Sequence, residues 1–327
     1  MACSPANGAA SSAPCWSGPL SGSEHGSDGA LIARTSTTPR LGIVVSTYES
    51  PEALDAVLWG FAEQSDPGFV LVVADDGSGS DTKTVVDRWR SHFGGRLLHV
   101  WQPDEGFRLA RVLNLGALAV DADYFAFMHG ESIPRRNFVR AIRACIRPGW
   151  FVAGRRVDLS AALTARVLEQ RLPAHRWGMR DWFRARHEAR PIAALTRRDR
   201  RRVGATRVPE FSPHNRTYGC LLGVARKDFE RVNGYDVRFI GWGEEDVDIA
   251  VRLRRIGLRC GHAGPDGTLV HLWHESEIPA ERPNWSLLQG TESSDRIEAM
   301  EGLREVATTD TGMRESSRRA GAYRRAS

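Results

Sequence analysis

The chain has 327 residues, 41% hydrophobic and 26% charged, the composition of a globular protein long enough to bury a core without disulfide or metal staples. Its net charge is +5, and all but two of its 45 basic residues are arginine, a bias that suits anion recognition but equally follows from GC-rich coding. No run of about 18 apolar residues occurs, which excludes an ordinary transmembrane helix. Five scattered cysteines without a C-x-x-C pair exclude a disulfide scaffold and a cysteine zinc site.

Residues 1–40 are rich in Ser, Gly, Pro and Ala without apolar periodicity and read as a disordered tail. They lack the basic start and apolar stretch of a signal peptide, so a cytoplasmic location is expected. Leu41 to Ser46 is a β-branched apolar run, the pattern of a strand buried on both faces. Pro51 opens a helix through Gln64 with Leu54, Val57, Leu58 and Phe61 on one stripe. A second strand, Phe69 to Ala74, stops at Asp75-Asp76-Gly77-Ser78. A helix over Thr82 to Phe93, a strand over Leu97 to Trp101, a helix over Phe107 to Val120 and a strand over Tyr124 to Met128 follow. This alternation predicts an α/β fold with a mostly parallel, Rossmann-like sheet flanked by helices. Ligands of such sheets sit beyond the carboxyl ends of the strands, which here carry Thr47-Tyr48-Glu49, Asp75-Asp76 and His129-Gly130-Glu131.

The second half is less regular. Residues 155–216 are expected to form an arginine-rich, solvated insertion over the mouth of the site. Within it, 176–207 interleaves eleven arginines with Trp177, Trp182 and Phe183, a mixture that also suits an anionic membrane surface. A strand is expected over Tyr218 to Ala225, a turn at Gly234 to Asp236, a helix from about Glu244 and a strand over Thr268 to Trp273. A short helical stretch and a basic tail close the chain from 295 to 327.

Several residues in this pattern carry chemistry. Asp75 or Asp76 can accept hydrogen bonds from a nucleobase or ribose, or can simply close a turn. Arg108, Arg111 and Asn114 recur at helical spacing and share a face, which suits a nucleoside diphosphate. His129 and Glu131 flank Gly130 and can bind a divalent cation or merely close the turn before Pro134. In Gly241-Trp242-Gly243-Glu244-Glu245-Asp246 the acids suit the start of a helix. Asp246 begins the stripe Ile249, Ala250, Leu253, so its carboxylate either points into a cleft, where it suits a general base, or is badly solvated. Helix capping accounts for Glu244 and Glu245 better than for Asp246. His271 and His274 lie three apart; on an extended strand only one of them faces the site.

Taken together, VVSTYESPEAL, VVADDGS, EGFRLARVLNLG, FAFMHGESIPRRNFV, PGWFVAGRRVDLS, GYDVRFIGWGEEDVDIAVRL and HLWHE resemble, in order, an inverting family 2 glycosyltransferase of the GT-A fold. The GWGEED stretch is similar to the carboxyl-terminal segment of β-1,4-galactosyltransferases. The resemblance implies a catalytic domain over 41–294, with a nucleotide-binding half (41–131) and an acceptor half (132–294). It implies a nucleotide-sugar donor, expected to be a UDP-sugar, bound by Thr47, Tyr48, Asp75, Asp76, Arg108, Arg111, Asn114, Gly130 and Trp242. Asp246 would be the base and Glu245 its neighbour in catalysis. A divalent metal, Mn²⁺ rather than Mg²⁺, would sit on His129, Glu131 and His271 or His274, where the family carries Asp-x-Asp. The acceptor would be a glycan, a lipid-linked sugar or a small molecule, with no nucleic acid and with peripheral membrane contact through 176–207. The altered triplet leaves one alternative, a scaffold that binds a nucleotide sugar or glycan without turnover. Glu49 is a further departure from the family.

Overall fold

The computed structural model describes residues 39–191, 220–275 and 282–309. The expected tail up to residue 38, the arginine-rich residues 192–216, Tyr218 and the basic end after 309 lie outside the described residues. In chain order the elements are β1 (Leu41–Thr47), α1 (Pro51–Ala62), β2 (Phe69–Asp75), α2 (Ser80–Trp89), β3 (Leu97–Trp101), α3 (Leu109–Leu118), β4 (Tyr124–His129), β5 (Ser132–Pro134), α4 (Phe138–Cys145), β6 (Trp150–Ala153) and β7 (Arg155–Leu159). There follow α5 (Ala161–Glu169), α6 (Met179–Arg184), β8 (Ala189–Pro191), β9 (Leu221–Ala225), α7 (Arg226–Arg231), α8 (Glu245–Arg255), β10 (Arg259–His262), β11 (Thr268–His271) and α9 (Trp285–Glu292).

Seven strands form the main sheet in the order β10-β6-β9-β4-β1-β2-β3. Only β9 runs against its neighbours, β4 and β6. Strict alternation sends side chains to opposite faces. Ile43, Val45, Leu71 and Val73 therefore join a core with Leu54, Phe61 and Phe138. Val44, Val72 and Ala74 pack on the other side with Val112, Phe229, Ile249 and Leu253. Burial on both faces is what the continuous apolar runs encode. Among the described residues no helix is long and apolar enough to cross a membrane.

A second sheet, β5-β11-β7-β8, corrects one expectation. Residues 155–191 are not a solvated insertion: Val157, Leu159, Leu163 and Val167 are buried in the first core. Their arginines concealed an amphipathic strand and helix, because long guanidinium side chains point outward while the alternate positions pack. Only α6 matches the expected surface, with Phe183 66% exposed and Arg180 and Arg184 exposed beside it.

One buried ion pair ties α8 down. Asp248 and Arg252, both fully buried, pair through Oδ2 at 2.8 and 2.6 Å. Arg252 also donates to the carbonyls of Val232 and Gly234, and Thr291 donates to Asp248 Oδ1 at 2.6 Å.

Candidate active site

Parallel register gathers the strand ends. Thr47 aligns with Asp75, Asp75 with Trp101, and Ser46 with His129. Asp75 is fully buried and its carboxylate is engaged internally: Oδ1 accepts the Ser78 N–H at 2.8 Å and Oδ2 pairs with His99 Nε2 at 3.0 Å. Burial opposes its ionisation, but these hydrogen bonds outweigh burial and hold the carboxyl below its ordinary range. Asp76 faces the other way. Burial pushes its pKa up, although the Arg108 N–H donates to Oδ2 at 2.8 Å and Gln102 donates to Oδ1. Gln102 in turn accepts from Arg111 at 2.5 Å, so Asp76, Gln102 and Arg111 form one network. Thr47 Oγ1 and Arg108 Nε are buried without a hydrogen-bond partner among the described residues, the state of groups awaiting a ligand. The guanidinium of Arg108 is held at the rim by Glu105 and the Pro103 carbonyl, both at 2.5 Å.

Two of the residues expected to bind the donor form hydrogen bonds within the protein. Asn114 is fully buried and clamps Tyr235 through both ends of its amide, at 2.8 and 3.0 Å. Tyr48, 47% exposed, donates to Asp104 at 3.0 Å. Glu49 accepts the Gly79 N–H at 2.7 Å, so it ties the loop after β1 to the loop before α2.

Gly130 lets β4 approach β1: a Cβ there would lie 2.5 Å from the Ser46 carbonyl oxygen. Gly130→Ala is therefore expected to shift both strand ends and cost about 1–3 kcal/mol, measured as a lowered denaturation midpoint.

On the far side of Gly130, the Leu272 N–H donates to the Glu131 carbonyl at 2.8 Å, which brings the exit of β11 beside it. His271 and His274 do not face opposite sides. The strand ends at His271, and the two rings meet at a tilt of 47° with centroids 5.3 Å apart. Period-two alternation failed because it applies only while the backbone stays extended. His271 pairs with Ser132 across the sheet and lies 3.6 Å from Asp158, which holds Arg156 at 2.8 Å. Burial, reinforced by Arg156, pushes His129 down to about 4 and His271 down to about 3, so both imidazoles are neutral. Burial raises the pKa of Glu131. Neutral imidazoles beside a buried carboxyl are a donor set that a divalent cation fits. Among the described residues no three His, Cys, Asp or Glu side chains converge on one point.

His129, Glu245 and Asp246 line one cleft with the apolar side chains of Leu109, Leu113, Phe127, Leu222 and Tyr235. The stripe below Asp246 is present: Ile249, Ala250 and Leu253 are buried. Burial, then the charge of Asp246, pushes Glu245 up to about 8; burial, then Glu244, pushes Asp246 up to about 6. Both carboxyls are thus raised above their ordinary range, Glu245 further than Asp246. Glu245 Oε2 has no partner among the described residues. Trp242 is 40% exposed.

Sequence reasoning missed Gln102, Arg156, Asp158 and Asn284. Gln102 follows the end of β3, where the strand-end rule would have found it. The others act through contacts with no local signature.

The family described as Glycosyl transferase family 2 matches residues 42–218, and the N-terminal domain of galactosyltransferase matches residues 200–275. Validoxylamine A glucosyltransferase of Streptomyces hygroscopicus subsp. jinggangensis (strain 5008) is 26% identical over 247 residues, covering 68% of this chain and 53% of that protein. Chondroitin synthase of Pasteurella multocida (strain Pm70) is 24% identical over 226 residues, covering 65% and 23%. The chain thus spans about half the length of the first relative or less. Among solved structures, GalNAc-T7 with UDP, GalNAc and Mn²⁺ aligns with a TM-score of 0.53 at 14% identity, covering 73% of this chain and 44% of that one. S. aureus TarS aligns at 0.50 and 13%, covering 72% and 37%. Both likenesses concern the fold, which is of the GT-A type.

Proposed function

The chain belongs to glycosyl transferase family 2, and on that premise we propose that it moves a sugar from a nucleotide-sugar donor to an acceptor hydroxyl with inversion at the anomeric carbon. The observation that carries the proposal is that Asp246, its pKa raised by burial, lines the same cleft as His129 at the end of β4. Asp246 takes the proton of the acceptor hydroxyl as its oxygen attacks the anomeric carbon. The bond from that carbon to the diphosphate breaks on the opposite side, so an α-linked donor yields a β-linked product. Glu245, protonated near neutral pH, has a free buried oxygen to hold the donor sugar, and Trp242 offers its face to a pyranose ring.

Thr47 and Asp76 hold the nucleoside, and Arg108 and Arg111 balance the charge of the leaving diphosphate. Asp75 acts indirectly, by shaping the turn that presents Asp76. His129 and Glu131, with His271 and His274, would hold a divalent cation, whose positive charge stabilises the diphosphate when bound. Their imidazoles favour Mn²⁺ over Mg²⁺.

The test is release of nucleoside diphosphate across a panel of UDP-, GDP- and TDP-sugars, with Mn²⁺, Mg²⁺ or EDTA. A glucosyl donor with validoxylamine A is the first pair to try, given the relative that carries that name. Turnover with one donor, a β-linked product by NMR, and loss in EDTA restored by Mn²⁺ are the expected results. Donor binding with no turnover for any acceptor would favour a sugar-nucleotide-binding protein, and no donor binding would remove the proposal.

A further inference from the structure

We propose that Asn284 is a positioning residue for the transfer reaction, its side-chain amide holding the Gly241-Trp242-Gly243 loop in the conformation that sets Trp242 and Asp246 against the acceptor. The inference rests on the transferase reading above.

The loop has little to hold it locally. Gly241 and Gly243 occupy left-handed backbone conformations, with φ of 81° and 89°. Glu244, with φ of 77°, does so despite its side chain, a disfavoured state that persists only when its surroundings enforce it. The Gly241 N–H donates to the Phe107 carbonyl at 2.9 Å. The loop carbonyls find their donor in one side chain: Asn284 Nδ2 donates to Gly243 O at 2.9 Å and reaches Gly241 O at 3.5 Å. Asn284 is only 3% exposed, so water offers its amide no ready substitute. Two positions before it, Arg282 pairs with Glu244 and stacks on Trp285, with 4.0 Å from the guanidinium carbon to the ring centroid.

The clasp is itself anchored to the helix that carries Asp246. Thr291 of α9 donates to Asp248, and Arg255 of α8 donates to the Arg296 carbonyl at 2.9 Å. Loop, base and clasp thus form one unit, in which Asn284 fixes both glycine hinges around Trp242. Both family matches end by residue 275, so the residues that make the clasp lie outside them.

The test compares kcat and donor KM for Asn284→Ala, Asn284→Asp, Arg282→Met and Arg282→Lys, by nucleoside diphosphate release from the donor that wild type turns over. A loop set free misplaces reacting groups by an ångström or so, a displacement that costs about 10²-fold in rate. Asn284→Ala should lose about that much kcat with a much smaller change in donor KM, because the nucleoside and diphosphate contacts of the strand ends are untouched. Asn284→Asp fills the same space but sets a carboxylate against two carbonyls, so it should lose at least as much. Arg282→Lys should retain activity that Arg282→Met loses, and this pair decides the matter if the Asn284 variants do not fold. Folded Asn284→Asp with wild-type kcat, or a raised donor KM at unchanged kcat, would overturn the inference alone. A wild type inert toward every donor would overturn the transferase reading and this inference with it.

Discussion

Replacing Asp246 by asparagine is expected to lower sugar transfer by about 10²–10⁴-fold while leaving donor affinity unchanged. Asparagine keeps the shape and loses the ability to take a proton. The wild-type rate should rise with pH through about 6, where burial has placed the carboxyl of Asp246. Stability should move the opposite way. The native carboxyl holds its proton to higher pH than the unfolded one, so the native state is disfavoured progressively from about pH 4 to 6. A shift of that size corresponds to roughly 2–3 kcal/mol. Asp246→Asn should therefore melt above wild type at pH 7.5 and match it near pH 4. A variant that is both inactive and more stable would mark Asp246 as a residue kept for chemistry at a cost to folding. Retained transfer by a folded Asp246→Asn would show that another group takes the proton.

Arg252→Leu is expected to destabilise the protein by about 3–5 kcal/mol, a drop in Tm on the order of 10 °C. The loss strands the Asp248 carboxylate in a site where both partners are fully buried, and it removes the donor to the Val232 and Gly234 carbonyls. Adding Asp248→Leu should recover only part of the loss, because the Gly234 carbonyl loses its donor and the Thr291 hydroxyl loses its acceptor. A denaturant melt of the two single variants and the double variant measures the coupling. A near-neutral Arg252→Leu would mean that water enters and solvates Asp248. Since α8 carries Asp246, the single variant should also lose kcat.

The order of strands and helices was legible because its signals are local. Leu41 to Ser46 and Phe69 to Ala74 read as buried strands from their apolar continuity, and the acids of GWGEED read as a helix start from their charge and the glycines before them. The stripe below Asp246 was equally visible, since helical spacing puts Ile249, Ala250 and Leu253 on one face wherever the helix packs. Strand-end placement then marked Thr47, Asp76 and His129 as one neighbourhood before any contact was known.

Which of those groups is available to a ligand was decided only by the tertiary structure. Asp75 and Asp76 are adjacent and chemically identical, yet His99 from the next strand engages one while the other accepts from the Arg108 backbone N–H and Gln102. Asn114 shares a helix face with Arg111 but is consumed by the backbone of Tyr235, 121 positions away. His271 and His274 come together because the strand ends between them, and Asn284 meets the Gly241-Trp242-Gly243 loop from more than 40 residues downstream. The physical reason is the same in each case. Backbone periodicity and turn chemistry depend on neighbours within a few residues, whereas hydrogen-bond satisfaction and desolvation depend on side chains that only the packed chain brings together.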